Sequence, residues 1–264
     1  MAKPTQRRAV SQTQNPDQKP ASIPDQVSVC ITSCGRLDLL AETLATFQAY
    51  NTGGRYILSE DSTDAAVIAE VTRRYPDMRV LSGPDRLGLM GSIDRLYAAA
   101  ETPYIFHLED DWVFDGPIDW QAAIALLAGN DTVANVSVRA FDEIKPKFRA
   151  RSDALAFGGQ QFHIMRTNAH PEFFGWSSNP GLIRKSLYEH YKPFGRMLHD
   201  QMSGAIKADG RTVAYLLPGV ARHSGRGRNV VDPMMPARPK SRPKKWLRAI
   251  KKKLYYAGLR KDPF

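Results

Sequence analysis

Short apolar runs alternate with segments of helical periodicity through the first half of the chain. The β-branched run VSVCIT, residues 27–32, precedes LDLLAETLATFQAY, in which Leu39, Leu40, Leu44 and Phe47 recur at helical spacing. The same alternation predicts strands over 55–61, 78–83, 103–108 and 132–141, separated by helices over 64–75, 93–101 and 119–129. Strands separated by helices of this length form βαβ units, so the pattern predicts an α/β fold with a mainly parallel sheet.

Polar residues follow three of these predicted strands at the point where each strand ends. They are Thr32 and Ser33, Glu60 and Asp61, and Glu109, Asp110 and Asp111. In an open parallel sheet the ligand site lies beyond the carboxyl ends of the strands. We therefore expect these side chains to converge on one crevice.

The acidic triplet in FHLEDDWVF, residues 106–114, needs a neutralising partner, because an unpaired carboxylate that stays buried and charged is costly. The first strand–helix turn reads TSCGRLD, so it lacks the G-x-G-x-x-G pattern of dinucleotide-binding folds, and the P-loop pattern is missing too. A phosphate ligand would then need a cation. Carboxylates at a strand end favour Mg²⁺ or Mn²⁺, which keeps coordination positions for phosphate oxygens. The sequence thus predicts a divalent metal that binds a diphosphate.

Length and composition fit one catalytic domain with tails. The chain has 264 residues, of which 42% are hydrophobic and 24% charged. No stretch approaches the roughly 18 consecutive apolar residues of a membrane span. Residues 1–25 are polar and rich in Pro and Gln, which predicts a disordered lead-in with neither a secretion signal nor a helix. The two cysteines, Cys30 and Cys34, are interpreted as reduced core residues, in agreement with a cytoplasmic location.

The net charge of +10 is concentrated at the C-terminus. Residues 233–264 contain eleven basic residues and one acid, so 11 − 1 = +10, and the rest of the chain is neutral. Residues 231–264 are interpreted as a basic, Pro-rich linker followed by an amphipathic helix, in which Trp246, Leu247, Ile250, Leu254 and Ala257 recur at helical spacing with lysines opposite.

Two interpretations of this tail stay open. The helix either is solvated or docks on its own domain, or it binds an anionic membrane surface through residues 244–259. Nucleic acid is the weaker alternative, because aromatic stacking platforms interleaved with basic residues are missing.

Taken in order, three motifs resemble a known family: VSVCITSCGRLDLLAETLATF, ILSEDSTD and FHLEDDWVF. They resemble the nucleotide-binding half of a GT-A glycosyltransferase of family 2, with the acidic triplet as an E-D-D form of the D-x-D motif. The resemblance continues through GWSSNPGLIRKSLYEHYKPF and HDQMSGAIKADGRTVAYLLPG to HSGRGRN. It implies a GT-A domain over 26–230, a Rossmann-like, mainly parallel mixed sheet flanked by helices. Residues 26–141 would form the nucleotide-sugar half and 142–230 the acceptor-side half.

For the donor side, the resemblance implies that Asp111 binds Mn²⁺ or Mg²⁺ and that Glu109 or Asp110 meets the ribose or a metal-bound water. Asp61 would bind the nucleotide base, and the residues lining the same pocket would be Thr32, Ser33, Arg36 and Glu60. Two alternatives stay open. The alternative role of Asp61 is to cap a helix in SEDSTD. Arg86 is a candidate partner of a phosphate, and its alternative is a solvated loop residue.

For the acceptor side, the resemblance implies that Asp200 is the general base of an inverting transfer, with His199 as its rival. Helix capping is the alternative role of Asp200. Trp176 either stacks on a sugar or belongs to the core, and Asn179 lies in the turn that shapes that wall. His223 would complete the metal shell unless it is a surface histidine. Arg226 and Arg228 either clamp the diphosphate or continue the basic tail.

These expectations combine into one predicted function. The chain is predicted to be a metal-dependent, inverting glycosyltransferase that moves a sugar from a UDP- or GDP-sugar to a hydroxyl of a glycan or lipid-linked acceptor. The expected process is envelope polysaccharide or glycolipid synthesis on the cytoplasmic face of the inner membrane. Two other classes stay open: a sugar nucleotidyltransferase, and a non-catalytic GT-A-like binding module at the membrane.

Overall fold

A computed structural model describes residues 19–235, 239, 241–256 and 259–260. Its strands are β1 (Ala21–Ser22), β2 (Val27–Ser33), β3 (Asn51–Thr52), β4 (Arg55–Glu60), β5 (Arg79–Leu81), β6 (Tyr104–Glu109), β7 (Trp112–Phe114), β8 (Val133–Ser137), β9 (Ser152–Phe157), β10 (Gln160–Met165), β11 (Gly181–Arg184), β12 (Thr212–Leu217) and β13 (Ala221–His223). Its helices are α1 (Leu37–Tyr50), α2 (Ala65–Arg74), α3 (Gly88–Ala99), α4 (Trp120–Gly129), α5 (Pro146–Arg149), α6 (Lys185–Tyr191), α7 (His199–Ala208) and α8 (Arg242–Tyr256).

One nine-stranded sheet organises the domain, with the strand order β5-β4-β2-β6-β11-β8-β12-β10-β9. The first four strands of this order are parallel, and β8 is parallel to β12. Strand β11 runs antiparallel between β6 and β8, and the β9–β10 hairpin closes the far edge. The predicted α/β class, a mainly parallel mixed sheet flanked by helices, is therefore confirmed.

Alternate residues of the parallel strands bury on opposite faces of the sheet. In β2, Val29 and Ile31 belong to one apolar cluster, whereas Cys30 belongs to the other. Phe47 of α1 stacks on Phe106 of β6, with ring centroids 5.6 Å apart. Because both faces are covered, the central strands β2 and β6 are mostly apolar.

The domain begins earlier than the predicted lead-in allows. Residues Ala21 and Ser22 pair in parallel with Asn51 and Thr52, and the side chain of Ile23 is buried. One apolar residue, Ile23, therefore anchors this part of the polar lead-in to the domain. The composition of the lead-in alone does not predict this. Residues 1–18 lie outside the described residues.

The strand predicted over 132–141 is also shorter than expected, because β8 ends at Ser137. Beyond it, Val138 donates its backbone N–H to Pro180 and Ala140 donates to Ala221. The chain therefore leaves the nine-stranded sheet after Ser137.

A basic helix is present in the tail, as predicted, over Arg242–Tyr256. Ala257, the last residue of the predicted apolar stripe, lies outside the described residues. In the part of the chain that the structure describes, no helix is both long and apolar enough to cross a membrane.

Candidate active site

The polar ends of the parallel strands converge on one cavity of about 250 Å³, as the sequence predicts. Eight predicted donor-side residues line it: Thr32, Ser33, Arg36, Asp61, Arg86, Glu109, Asp110 and Asp111. Their convergence follows from register, because Thr32 of β2 lies beside both Ser59 of β4 and Glu109 of β6. We name this space the donor cavity.

Glu60 is also a predicted donor-binding residue, but it does not line the donor cavity. Its Oε1 accepts hydrogen bonds from the backbone N–H groups of Gly35 and Ser62, both at 2.9 Å. Gly35 has φ +71°, a conformation that glycine adopts without strain. The buried Glu60 carboxylate thus fixes the turn that precedes Arg36 and gives this loop a defined shape.

Arg36 is the cationic partner of the acidic triplet. Its guanidinium forms an ion pair and hydrogen bonds with Asp110, and Nη1 lies 2.9 Å from Oδ2 of Asp111. The side chains of Asp110 and Asp111 are 1% and 11% exposed, so an unpaired charge here would be costly. The sequence predicted a metal as the neutralising group; the structure shows a protein cation, Arg36, paired with two of the three carboxylates.

The three carboxyl groups have different pKa values because their surroundings differ. Burial, followed by the nearby Asp111 charge, raises the pKa of Glu109 to about 7. Burial also raises the pKa of Asp110 to about 6, although Arg36 opposes it. Burial acts on Asp111 too, but hydrogen bonds from His223 and Arg36 outweigh it and lower its pKa. Asp111 is therefore the triplet member best suited to stay ionised and bind a cation.

His223 lies beside Asp111, the residue with which it is expected to share a metal. Nε2 of His223 is 3.4 Å from Oδ2 of Asp111, and this contact raises the pKa of the histidine. Two ligands on one octahedral Mg²⁺ or Mn²⁺ lie roughly 3 Å apart, so one ion can contact both side chains once the imidazole is neutral.

Room for such an ion comes from Gly225. A Cβ atom on this residue would lie 2.3 Å from Oδ2 of Asp111. Among the described residues, no group of three or more His, Cys, Asp and Glu side chains is arranged to hold a metal. Mg²⁺ is commonly held by one or two carboxylates, with water and substrate phosphates as its other ligands. The Asp111–His223 pair fits this mode of binding.

Asp61 caps α3, not the helix that begins in SEDSTD. Asp64 caps α2 by accepting from Ala66 and Val67, at 2.8 and 3.3 Å. Asp61 instead accepts the backbone N–H groups of Leu87 and Gly88 at the start of α3, at 2.7 and 2.9 Å. It still lines the donor cavity, so the expected contact with a nucleotide base stays a prediction.

Arg86 has partners within the protein, so it is not a fully solvated loop residue. Its Nη2 donates to the carbonyl of Val231 at 3.0 Å, and its Nε lies 4.0 Å from Asp61. The side chain is 34% exposed. Arg86 is therefore a partly exposed residue in the wall of the donor cavity.

The segment after His223 covers part of the donor cavity, which the sequence analysis missed. Asn229, Val230 and Asp232 line the cavity, and Asp232 accepts a hydrogen bond from the N–H of Leu89 at 3.2 Å. The sequence signal for this contact was Asp232 itself, an isolated acidic residue in an otherwise basic region.

The two predicted clamp residues of this segment do not line the donor cavity. Arg228 pairs with Asp38 at 2.5 Å, and Arg226 is exposed. The carbonyl of Arg228 accepts from Arg36, so this residue supports the acidic cluster through its backbone. A clamp formed by these two arginines would need the segment to move.

A second cavity of about 450 Å³ brings together Trp176, Asn179 and His199, the predicted acceptor-side residues. Leu89 borders both cavities, so they adjoin. Trp176 is fully buried against Phe194, with ring centroids 5.4 Å apart, and is a core residue at the cavity wall. We name this space the acceptor cavity.

His199 is held in the wall of the acceptor cavity. Its Nε2 accepts the backbone N–H of Ser178 at 3.3 Å. Burial lowers the pKa of His199 to about 4, so its ring is neutral near pH 7.

Asp200, the predicted base, does not line the acceptor cavity. Its Oδ2 lies 2.9 Å from Nζ of Lys252 on α8, and its Oδ1 accepts the N–H of Gln201 at 3.1 Å. Lys252 also pairs with Glu172 at 2.8 Å. Glu172 and Asp200 each adjoin a cavity-lining residue in sequence, Phe173 and His199. Helix α8 therefore docks beside the acceptor cavity, and Asp200 contacts α8 rather than the cavity.

The fold is similar to those of several solved glycosyltransferases. S. aureus TarS 1-349 is 11% identical, with a TM-score of 0.53, over 75% of this chain and 60% of that chain. GalNAc-T7, solved with UDP, GalNAc and Mn²⁺, is 11% identical, with a TM-score of 0.55, over 88% and 49% of the two chains. The Pyrobaculum calidifontis mannosyltransferase PcManGT, solved with GDP-Man and Mn²⁺, is 14% identical, with a TM-score of 0.54, over 90% and 64%.

These likenesses concern the fold. The chain spans less than two thirds of the length of each of these three proteins. No curated protein has a sequence that matches this chain. A family model described as "Glycosyl transferase family 2" matches residues 28–191, more than half of the chain, and includes the strand ends and the acidic triplet. Both the motifs and the fold agree with this match, and the chain belongs to glycosyl transferase family 2.

Proposed function

We propose that the protein is an inverting glycosyltransferase that uses a divalent metal and a UDP- or GDP-sugar. The observation that carries this proposal is the donor cavity, in which three consecutive carboxyl groups lie beyond the carboxyl ends of the parallel strands and two of them pair with Arg36. His223 lies beside Asp111 but does not line the cavity. This arrangement matches the family to which the chain belongs, and it provides both cationic and anionic groups for a metal-bound nucleotide.

In this proposal the donor cavity binds the nucleotide diphosphate. Arg86 in its wall offers a guanidinium to a phosphate oxygen, and Asp61 accepts hydrogen bonds from the base while it holds the start of α3. Thr32 and Ser33 also line this cavity, and the buried hydroxyl of Ser33 has no hydrogen-bond partner among the described atoms. An unpaired buried hydroxyl is a group that a ligand can satisfy.

Asp111 and His223 would hold the metal, with Glu109 and Asp110 near the ribose or the metal's water ligands. A bound Mn²⁺ or Mg²⁺ neutralises negative charge on the diphosphate and so stabilises it as a leaving group. Arg36 keeps Asp110 and Asp111 in place before the donor arrives. Two similar folds were solved with Mn²⁺ and a nucleotide or nucleotide sugar, which supports the choice of ion.

The acceptor hydroxyl would enter from the acceptor cavity, which adjoins the donor cavity at Leu89. Inversion needs a base on the face of the sugar opposite to the leaving group, and Asp200 is our candidate. Asp200 follows the cavity residue His199 in sequence, and to reach the acceptor its side chain would have to turn away from Lys252, which would stay paired with Glu172. His199 itself is neutral near pH 7 and is the rival base.

We further propose that the acceptor is a glycan or lipid-linked glycan of the cell envelope and that the enzyme works at the cytoplasmic face of the inner membrane. Helix α8 carries seven basic residues and no acidic one. An anionic headgroup layer is the partner that such a helix fits.

Calorimetric titration of UDP and GDP, with and without Mn²⁺, tests the donor site. We expect metal-dependent binding of one nucleotide to wild type and its loss in Asp111→Ala. Asp153→Ala is the control, because Asp153 is an exposed residue paired only with Arg166 among the described contacts. Failure of wild type to bind either nucleotide would refute the donor assignment. Release of pyrophosphate from a nucleoside triphosphate would instead indicate a nucleotidyltransferase.

A further inference from the structure

Helix α8 contacts the rest of the protein through its polar side. Nζ of Lys252 lies 2.9 Å from Asp200 and 2.8 Å from Glu172, and the hydroxyl of Tyr255 accepts a hydrogen bond from Gln201 at 3.3 Å. The three ionic side chains are 22%, 9% and 18% exposed, so the contact is shielded from solvent. We name the contact of Lys252 with the two carboxylates the Lys252 bridge.

The apolar side of α8 faces away from this contact. Trp246, Leu247 and Leu254 are 69%, 50% and 38% exposed. At 100° per residue these three positions fall within an arc of about 100°, roughly opposite Lys252. We name Trp246, Leu247 and Leu254 the apolar stripe.

Basic residues border the apolar stripe on both sides. By the same helical geometry, Arg242 and Lys253 lie along one border, and Lys244 and Lys251 lie along the other. A surface helix normally turns its apolar side to its own domain. This helix does the reverse, and an exposed apolar stripe with basic borders matches the composition of helices that lie in an anionic membrane interface.

We propose that α8 binds an anionic bilayer while it stays docked through the Lys252 bridge. The helix then lies between the catalytic domain and the headgroup layer, and membrane binding needs no release of the domain contact. The apolar stripe enters the interface, while Lys252 and Tyr255 hold the start of α7 on the opposite side.

This arrangement sets the position of the active site, an inference that rests on the proposed function. A helix with its side chains is about 10–12 Å across, so Asp200 would lie about one helix diameter from the headgroups. The side of the acceptor cavity that Phe173 and His199 line would face that layer, where a lipid-linked acceptor presents its sugar. The acceptor class that fits this geometry is therefore the lipid-linked one rather than a soluble glycan.

A locked helix provides the test. In a Cys34→Ser background, Glu172→Cys and Lys252→Cys replace the bridge with two thiols that a short bismaleimide can join. Cys30, the other native thiol, is buried. We expect the cross-linked protein to sediment with phosphatidylcholine–phosphatidylglycerol vesicles as well as wild type does. If cross-linking abolishes sedimentation, α8 has to leave the domain to bind lipid, and the proposal is wrong.

Two charge variants provide a matched comparison. Lys253→Met removes a charge at the border of the stripe and should weaken vesicle binding about fivefold, the effect of one basic residue near an anionic surface. Lys252→Met removes a charge that faces Asp200 and Glu172, so vesicle affinity should stay close to that of wild type. Equal losses in both variants would contradict the docked orientation.

The stripe itself is tested by the double change Leu247→Ser and Leu254→Ser, which should lower vesicle affinity by more than about tenfold. Unchanged vesicle binding in this variant, or binding to duplex DNA with no binding to vesicles, would overturn the membrane as partner. None of these measurements needs a sugar donor. A failed nucleotide titration would therefore count against the proposed function and leave the vesicle results as an independent test of α8.

Discussion

His223 and Asp111 lie 3.4 Å apart, Nε2 to Oδ2, although they are distant in sequence. The two-stranded sheet of β7 and β13 creates this contact, because His223 pairs with Trp112, the residue that follows Asp111. The backbone N–H of Ser224 also donates to the carbonyl of Asp111 at 2.9 Å. The late histidine is thus joined to the acidic triplet by backbone pairing, which holds it in place without any ligand.

Replacing His223 tests its role as a metal ligand. We expect His223→Gln to weaken Mn²⁺-dependent nucleotide binding by at least about tenfold, as alteration of one group at a metal site does. Nucleotide binding without Mn²⁺ should change little. His190→Gln is the control, because His190 is 63% exposed on α6. Equal nucleotide affinities of His223→Gln and wild type in Mn²⁺ would exclude His223 from the metal site.

Gly225 should be intolerant of even one added methyl group. In Gly225→Ala the new Cβ would lie 2.3 Å from Oδ2 of Asp111, so either the carboxylate or the loop has to shift. Calorimetry should show weaker metal-dependent nucleotide binding. Gly204→Ala on α7 adds the same group where nothing lies within 4 Å, and both affinity and fold should be retained. Normal nucleotide binding by Gly225→Ala would show that the loop relaxes without cost.

Arg36 should matter for stability as well as for binding. Arg36→Met leaves Asp110 buried without its cation, so the free energy of unfolding should fall by on the order of 3 kcal/mol at pH 7. Denaturant unfolding measures this change. Arg73→Met removes an exposed arginine that pairs with Glu70 within α2, and no measurable loss is expected. If the two variants lost equal stability, the acidic triplet would have another neutralising group.

The sequence predicted which polar residues come together at the strand ends, because the signals for them are local. Each parallel strand is a short apolar run with polar residues at its end, and the parallel arrangement alone brings Thr32, Asp61 and Asp111 to one cavity. The ion pair between Arg36 and Asp110 spans 74 residues, and no local pattern marks it. Sequence periodicity could identify residues that line this cavity but not which of them form ion pairs with one another.

The acceptor side was harder to predict, because its contacts join elements that are far apart in sequence. Lys252 was one of eleven basic residues in the tail, and nothing in the spacing distinguishes it from Lys251 or Lys253. Its contact with Asp200 depends on how α8 docks on α7. The same limit applies to Asp232, whose place in the donor cavity depends on the path of the segment after His223.

Stability should fall in mild acid because of His107. Both ring nitrogens of this buried histidine lack a hydrogen-bond partner among the described residues, and burial lowers its pKa from 6.5 to about 3. The unfolded chain therefore binds a proton below about pH 6.5 that the folded protein does not, so the stability present above that pH is lost as pH falls. Between pH 6.5 and 5 the loss would approach about 2 kcal/mol.

Thermal unfolding of wild type and His107→Leu over this pH range measures the effect. The variant should lose less stability on acidification, because an apolar side chain has no proton to bind. The variant should keep part of the dependence of stability on pH, because burial also lowers the pKa of His199 to about 4. Parallel pH profiles for the two proteins would exclude His107 as a source of acid sensitivity.

Asp200 and His199 are adjacent in sequence, but their chemical surroundings differ, and this difference allows the base to be identified. Asp200→Asn keeps the shape of the side chain and removes its basicity, so kcat should fall by about 10²- to 10⁴-fold with donor affinity unchanged. His199→Gln should have a smaller effect on kcat, because the Nε2 of His199 already accepts the N–H of Ser178.

Lys252→Met separates loss of the base from loss of α8 docking, since it breaks the Lys252 bridge and leaves Asp200 in place. If Asp200 acts as the base, removal of the neighbouring positive charge raises its pKa. The acid limb of the kcat profile should then move to higher pH in Lys252→Met, while Lys251→Met follows wild type. A larger loss of kcat in His199→Gln than in Asp200→Asn would assign the base to the histidine, and the role of Asp200 would then be to anchor α8.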